Sequence, residues 1–323
     1  MLNKSRLGRI AAGIAIGFAM AHGYAQTYPT KPVHIIIGYT PGTGVDIVGR
    51  HVGEMLAKSM GQPFIAENRP GAAGTIAAAY VATASADGYL LLVDSSSHTS
   101  VPAVMPSLPY GTLRDFAGVT TLVENPLVLV ASRAKGYQTI RDLVAAGKAK
   151  PGSLSYATTG FGSSTHISAE KFRMSAGFDA LHVPVKSTTE AITELMGGRM
   201  DFTYTALTTG LPGIQGGRLV ALAMSNHRSA LLPGVPTIEE AGFPNSAYSS
   251  WLGMMVAAKT PRDIVNRLHQ EIVKAMAVPE MQERLAKIGA QPSTMSPDEF
   301  DALRRRELAA NMQLMKAIGI KAQ

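Results

Sequence analysis

The chain has 323 residues, 46% hydrophobic and 16% charged, with 30 Lys and Arg against 23 Asp and Glu and a formal charge of +7. That composition excludes disorder and coiled coil, and the length suits two domains with substantial cores. There is no cysteine, which excludes disulfide frameworks, zinc clusters, iron–sulfur centres and thiol nucleophiles.

The N-terminus has the plan of a secretory signal peptide. Lys4, Arg6 and Arg9 are followed by an apolar run from Ile10 to Ala21, then by small residues at Gly23 and Ala25 before Gln26. The run is too short to span a bilayer, so cleavage near Ala25/Gln26 and export are expected. Loss of the three cations leaves +4, a mild excess that favours anionic solutes. No basic stripe is interleaved with aromatics, so no nucleic-acid partner is expected. Arg304-Arg305-Arg306, the one basic run, reads as a solvated helix face.

Val33 to Tyr39 reads as a buried strand, short and β-branched. It opens into Thr40-Pro41-Gly42-Thr43-Gly44 and a helix from Asp46 to Met60, with Asp46 as N-cap and Gly61 past the end. A strand over Pro63 to Glu67, a turn at Asn68 to Gly74, a helix over Thr75 to Ser85 and a strand over Tyr89 to Val93 follow. The last of these runs into the hydroxyl-rich stretch Ser95 to Ser100. Further strands are expected at Leu127 to Ala131, Leu154 to Thr158, Ala180 to Val185, Asp201 to Thr205, Leu219 to Met224 and Leu252 to Ala257. Helices are expected over Thr139 to Ala149, from Ser164 or Thr165, and from a capping box at Ser187 to Glu190 through Met196. Three more follow at Arg262 to Ala277, Glu280 to Ile288 and Pro297 to Ile318. Strands alternating with helices predict an α/β architecture with mostly parallel sheets.

No nucleophile elbow, phosphate-binding P-loop or zinc-protease motif is present, and no His lies three or four residues from another His, so neither catalysis nor a metal is expected. Two segments stand out instead, Tyr39 to Asp46 and Thr158 to His166. Each follows a buried strand, opens a helix and is rich in Gly and hydroxyl residues. Such a helix start offers unpaired N–H groups and the positive end of a dipole to a carboxylate or phosphate oxygen. Either loop alone is also what ordinary capping requires. Together they suggest two halves of one cleft. Asp46 suits a cap, His98 and His166 a structural role, and Lys186 either the cleft or the surface.

The residues carrying a wider resemblance are Tyr28-Pro29-x-Lys31-Pro32, Pro41-Gly42-x-Gly44-x-Asp46, Glu67-Asn68-Arg69-Pro70-Gly71-Ala72-x-Gly74 and Asp87-Gly88-Tyr89. Later come Pro109-Tyr110, Asp115-Phe116, Lys150-Pro151-Gly152, His182-Val183-Pro184, Leu232-Pro233-x-Val235-Pro236-Thr237, Glu240-Ala241-Gly242 and Trp251-x-Gly253. In order and spacing the chain resembles the Bug family of periplasmic receptors, the tricarboxylate-binding receptors of tripartite tricarboxylate transporters. The resemblance implies a two-lobed periplasmic binding protein of type II, a Venus flytrap of two mixed, mostly parallel sheets flanked by helices. It implies a first lobe of 26–125 plus 251–323 and a second of 126–250. It further implies a monomeric, non-enzymatic receptor without cofactor, which binds a small carboxylate and delivers it to a membrane permease. A sensory receptor docking on a signalling ectodomain, or a secreted hydrolase or isomerase, are the competing readings.

Carried over position by position, the resemblance implies a ligand site of Tyr39, Thr40, Gly42, Thr43 and Asp46, then Ser95, Ser96 and Ser97, then Gly162, Ser163 and Ser164, and Thr205. The chain departs from the family pattern at Gly38-Tyr39-Thr40, at Thr43 and Val45, at Val185 and Ser187, and at Thr205, where an acidic residue is frequent. The last departure argues against an amino-acid ligand and for an acid without an amine, stacked on Tyr39 if aromatic.

Overall fold

The computed structural model describes residues 28–317. The expected signal peptide lies outside the described residues. Among those described, no helix is long and apolar enough to cross a membrane.

Two mixed sheets form two cores. The first sheet contains β1 (Val33–Ile37), β2 (Phe64–Asn68), β3 (Leu90–Ser95), β4 (Phe116–Glu124), β10 (Trp251–Ala257) and β11 (Gln291–Pro292), in the order β11-β4-β10-β3-β1-β2. The second contains β5 (Leu127–Ser132), β6 (Leu154–Thr158), β7 (Ala180–Pro184), β8 (Phe202–Ala206) and β9 (Leu219–Met224), in the order β7-β6-β8-β5-β9. Parallel pairing joins β1 to β2 and β3, and β6 to β7 and β8. The remaining pairs are antiparallel: β10 lies between β3 and β4 and β5 between β8 and β9, each against the direction of both neighbours, and β11 runs against β4. The antiparallel share is therefore larger than βα alternation alone predicts.

Helices cover both faces of the first sheet. Helix α1 (Gly44–Met60) buries Val45, Val48, Val52 and Leu56 on one stripe, and Gly61 ends it in the left-handed region at φ 71°, as helical spacing and a C′ glycine predict. Its stripe meets Ile35 and Ile37 of β1 and Leu268 and Ile272 of α8 (Arg262–Ala277). The opposite face packs Ile36, Leu92 and Met255 against α2 (Thr75–Ala82) and against Phe300 of α10 (Pro297–Ala317), whereas α9 (Pro279–Lys287) joins the first core through Met281 and Leu285. Each such fully buried side chain contributes about 1.5–3 kcal/mol. The second sheet is covered by α4 (Ile140–Ala149), α5 (Ser164–Ala176), α6 (Thr188–Met196) and α7 (Leu207–Gln215), with Phe172, Phe202 and Tyr204 in its core.

The chain leaves the first sheet after Glu124 and enters the second at Leu127; it returns to the first at Trp251. The two connections run side by side. Asn125 N–H donates to the Ser250 carbonyl at 2.8 Å, and Ser225 N–H to the Leu127 carbonyl at 2.8 Å. A short helix, α3 (Ser97–Ser100), follows β3 directly.

Three expectations are corrected. The first helix starts at Gly44, with Thr43 and not Asp46 at the N-cap. Strands β4 and β11 and helices α3 and α7 are additional elements. Arg304 is 1% exposed: its guanidinium donates to the Phe116 and Thr112 carbonyls and to Asp301. The run 304–306 is thus a buried anchor of α10 at its first residue, because a helix face turns by about 100° per residue.

Candidate functional site

Two adjoining cavities lie between the sheets at the carboxyl ends of their strands, where open α/β sheets bind ligands. The inner one comprises about 410 Å³ of space between atoms, part of it open to solvent. Its first-sheet wall is Tyr39, Thr43, Gly44, Val45, Ser95 and Ser97; its second-sheet wall includes Thr159, Ser164, Thr165, Thr188 and Thr209; Asn125 and Leu127 lie at the connection. The outer one, about 270 Å³, shares Tyr39, Thr43, Thr159 and Thr188 and adds Thr40, Pro70 to Gly74 in part, and Lys186.

Four helices begin on the inner cavity. Gly44 and Val45 open α1, Ser164 and Thr165 open α5, Thr188 opens α6 and Thr209 lies in the first turn of α7. Each helix start presents N–H groups without intrahelical partners and a partial positive charge. At α1 no side chain caps them, since the Thr43 hydroxyl donates instead to the Thr40 carbonyl at 2.8 Å. At α7 the N-cap is Ala206, which has no side-chain acceptor. No carboxylate side chain lines either cavity, and Lys186 is the one charged lining residue. The arrangement is a donor-rich pocket without acidic groups, whose helix starts carry partial positive charge that favours an anionic group.

Six of the twelve expected site residues line these cavities: Tyr39, Thr40, Thr43, Ser95, Ser97 and Ser164. The Tyr39 hydroxyl meets Ser95 Oγ at 2.7 Å and donates to the Ala73 carbonyl, so its ring is fixed in the wall. Burial, and then the nearby Asp94 charge, push its phenol far above the usual range. Ser97 Oγ accepts the Ser164 N–H at 3.2 Å, which ties the two walls together directly.

The other six are placed differently. Gly42 stands exposed at the loop tip. Asp46 lies 4% exposed under the loop; its carboxylate accepts from Gly42 N–H at 2.9 Å, Asn68 Nδ2 at 2.7 Å and Arg50 Nε at 2.9 Å. It folds the loop from beneath. Ser96 Oγ pairs with Ser250 Oγ at 3.0 Å, beside the connections. Ser163 caps α5, accepting the His166 N–H at 3.2 Å and donating to the Gly160 carbonyl at 2.7 Å. Gly162, at φ 73°, is pressed against the chain after α3; a Cβ there would stand 2.6 Å from Val104 Cγ2 and 3.0 Å from Val101 Cα. Thr205 is fully buried in β8, its hydroxyl on the Ala206 carbonyl.

The sequence reading missed Asn125, Thr159, Thr165, Thr188 and Thr209. Thr159 and Thr165 fall inside the loop it singled out, and Thr188 opens the helix after its capping box. Asn125 and Thr209 carried no local signal. His98 and His166 are buried, as a structural role requires. His98 Nδ1 faces Asp94 at 3.4 Å. His166 Nδ1 accepts the Gly162 N–H at 3.1 Å, and burial lowers its pKa to about 4. Among the described residues no group of three or more His, Asp or Glu is placed to hold a metal.

Comparison with known proteins agrees with this architecture. Residues 48–320 match the tripartite tricarboxylate transporter family receptor. The chain is 34% identical over 302 residues to the protein BugT of Bordetella pertussis, covering 92% of this chain and 93% of BugT. Among solved structures, R. palustris Rpa4515 with adipate superposes at a TM-score of 0.88 with 28% identity, over 92% of this chain and 100% of that one. MatC from Rhodopseudomonas palustris with bound malate does so at 0.82 with 28% identity, over 89% and 99%. The chain belongs to the tripartite tricarboxylate transporter receptor family, the Bug-type periplasmic solute-binding receptors.

Proposed function

We propose that this receptor captures a small organic acid, as its carboxylate, in the cleft between a first lobe of residues 26–125 and 251–323 and a second of 126–250. It does so in the periplasm after removal of the signal peptide, and delivers the acid to a tripartite tricarboxylate-type permease without chemical turnover. The observation that carries this reading is the convergence of four helix starts and several hydroxyls on one cavity that no acidic side chain lines. Such a site stabilises an anion by preorganised donors, without a full countercharge. The adipate and malate held by two relatives of the same fold support a carboxylate as the ligand class.

A thermal-shift screen of residues 26–323 tests it, against mono-, di- and tricarboxylates, aromatic acids and amino acids. A ligand at 100 times its Kd stabilises by about 2.7 kcal/mol. At about 2–4 °C per kcal/mol for a chain of this size, that is a shift of about 5–10 °C. A shift confined to acids supports the reading; no shift with any acid discards it.

A further inference from the structure

The strand orders put the ligand cavity and a second cavity on opposite sides of the two connections. In the first sheet, β3, β1 and β2 lie on one side of β10 and β4, and β11 on the other. In the second, β8, β6 and β7 lie on one side of β5, and β9 on the other. The segments after β1, β3, β6 and β8 wall the ligand cavity. A rear crevice opens between the opposite edges. There Ala286, Gly289 and Gln291, around the end of α9 and β11, face Ser229, Ala230 and Leu231 of the loop after β9. It comprises about 980 Å³ of space between atoms, part of it open to solvent. The first connection divides the two spaces residue by residue. Asn125 and Leu127 line the ligand cavity, whereas Glu124 and Pro126 line the pocket that continues the crevice, the alternation of an extended chain.

The connections are pinned together. Besides the Asn125–Ser250 backbone bond, Asn226 Nδ2 donates to Glu124 Oε1 at 2.7 Å and to Ser249 Oγ at 2.8 Å. On one side of this pivot the walls of the ligand cavity touch, Ser164 N–H on Ser97 Oγ. On the other side Gly289, at φ 76°, lies so near the second sheet's elements that a Cβ would stand 2.8 Å from Leu207 Cδ2 and 3.1 Å from Leu231 Cδ1. Beyond that contact the crevice leaves the rear edges apart. Two bodies joined at a central pivot form a lever: rotation that parts the front walls drives the rear edges together. Close-packed side chains hardly compress, so whatever fills the crevice halts that rotation. We infer that the rear crevice is a stop on the hinge: its free space sets how far the ligand cleft opens, and so the fraction of free receptor in the closed form. That fraction enters the apparent affinity directly. The inference rests on the two-lobe division proposed above, and not on the identity of the ligand.

The experiment measures the opening itself, without ligand. The chain has no cysteine, so Pro41→Cys and Thr189→Cys place one spin label on each wall. Both residues are exposed, beside Thr40 and Thr188 of the outer cavity. Pulsed electron–electron distances in the whole mature chain then report the width of the mouth. The free receptor is expected to show a long-distance population. Ala286→Trp and Ala230→Trp, each an exposed position on the crevice, are expected to move that population to shorter distances. Leu231→Ala, which empties the crevice, is expected to lengthen it. Ala310→Trp, exposed on α10 outside the crevice, is expected to change nothing. In unlabelled protein, titration with malate and with adipate is expected to show Ala286→Trp binding about 3- to 10-fold more tightly than wild type, although no side chain in the ligand cavity has changed. A mouth that varies in width in the wild type but is unmoved by both crevice tryptophans, or is widened by them, overturns the inference and leaves the two-lobe reading intact. A single short distance in the free wild type shows that the lobes do not part, and defeats both. If neither acid binds, the carboxylate reading is weakened while the spin-label distances still decide this one.

Discussion

A Cβ placed on Gly44 would stand 2.4 Å from Thr208 Oγ1. The first residue of α1, after the first strand of one sheet, thus meets the second residue of α7, after β8 of the other, with only a hydrogen atom between them. The Thr208 hydroxyl is buried and unpartnered, so the contact is steric and not a hydrogen bond. The Gly44 backbone is helical and accepts alanine. Gly44→Ala is therefore expected to keep the fold and to hold the lobes apart, weakening ligand binding tenfold or more. Thr208→Ala removes the opposing atom, since Thr208 Cβ lies at an ordinary 3.4 Å, and the double variant should regain most of the affinity. Titration of both variants and the pair checks this; wild-type affinity in Gly44→Ala alone would show that the two walls need not close at this point.

Asp46 is expected to matter for folding more than for binding. Removing its carboxylate leaves the Gly42 N–H, the Asn68 amide and the Arg50 guanidinium without their shared acceptor. Loss of a buried charged acceptor costs about 1–3 kcal/mol, so Asp46→Ala should lower Tm by a few degrees at about 2–4 °C per kcal/mol. Urea denaturation with and without saturating ligand measures it. A variant as stable as wild type, but defective in binding, would return Asp46 to the ligand.

The contrast between Thr43 and Asp46 shows how far the sequence is legible. Short apolar runs such as Leu127 to Ala131 declare strands, because a buried strand needs no alternation. Strand β4 is buried almost throughout, yet its FAGVTTLVE carries Gly and three small or hydroxyl residues and passes for a loop. Helix α7 holds Gly210, Pro212 and Gly213, each a breaker in isolation; packing of Leu207 and Leu211 into the second core forms it regardless. Within the site, the glycine and hydroxyl loops mark two strand ends. They do not say which hydroxyl caps and which faces the cleft: Ser163 and Ser164 are adjacent and do opposite things. Asn125 and Thr209 join the site only through the order of strands β5, β8 and β9, which no local pattern encodes.

Acid should weaken the fold through one histidine pair. His166 and His182 stack at 4.4 Å, and each is held to about 4, His166 by burial and His182 by burial and then by His166 itself. The groups around them are Glu170 and Arg173 on α5, Tyr156 on β6, whose hydroxyl donates to Glu170, and Asp179 before β7. A histidine whose folded pKa lies below its unfolded value near 6.5 is neutral in both states above that value. As pH falls from 6.5 to about 4 the unfolded chain takes up the proton and the folded one does not, so stability falls through that window and levels below it. At about 1.4 kcal/mol per unit, His166 alone accounts for about 3.5 kcal/mol at most. His166→Asn, whose carbonyl can accept the Gly162 N–H, has no proton to gain. Urea midpoints at pH 7, 6, 5 and 4 should fall less steeply in the variant; parallel curves would remove His166 from the account.

Glu307 is expected to couple α10 to the second connection. Both its carboxylate oxygens lie within 3.0 Å of Trp251 Nε1, and Oε2 accepts the Thr99 hydroxyl at 2.9 Å. Trp251 opens β10 where the chain returns to the first sheet, and Thr99 belongs to α3, whose Ser97 and Ser100 hold Ser164 and Gly162 of the other wall. One carboxylate thus braces the return strand and the bridge between the walls, and burial raises its pKa. Glu307→Ala leaves a buried indole N–H unpaired, while the Thr99 hydroxyl retains the Ser96 carbonyl at 2.8 Å, for a loss of about 1–3 kcal/mol. Glu307→Gln keeps an acceptor and should recover most of it. Because Trp251 is the single tryptophan, its emission reports the site directly: Glu307→Ala should shift the emission and lower the urea midpoint together, with Glu307→Gln close to wild type on both. If emission shifts while the midpoint stays, the bond orders the indole without bracing the strand, and the coupling assigned to Glu307 is wrong.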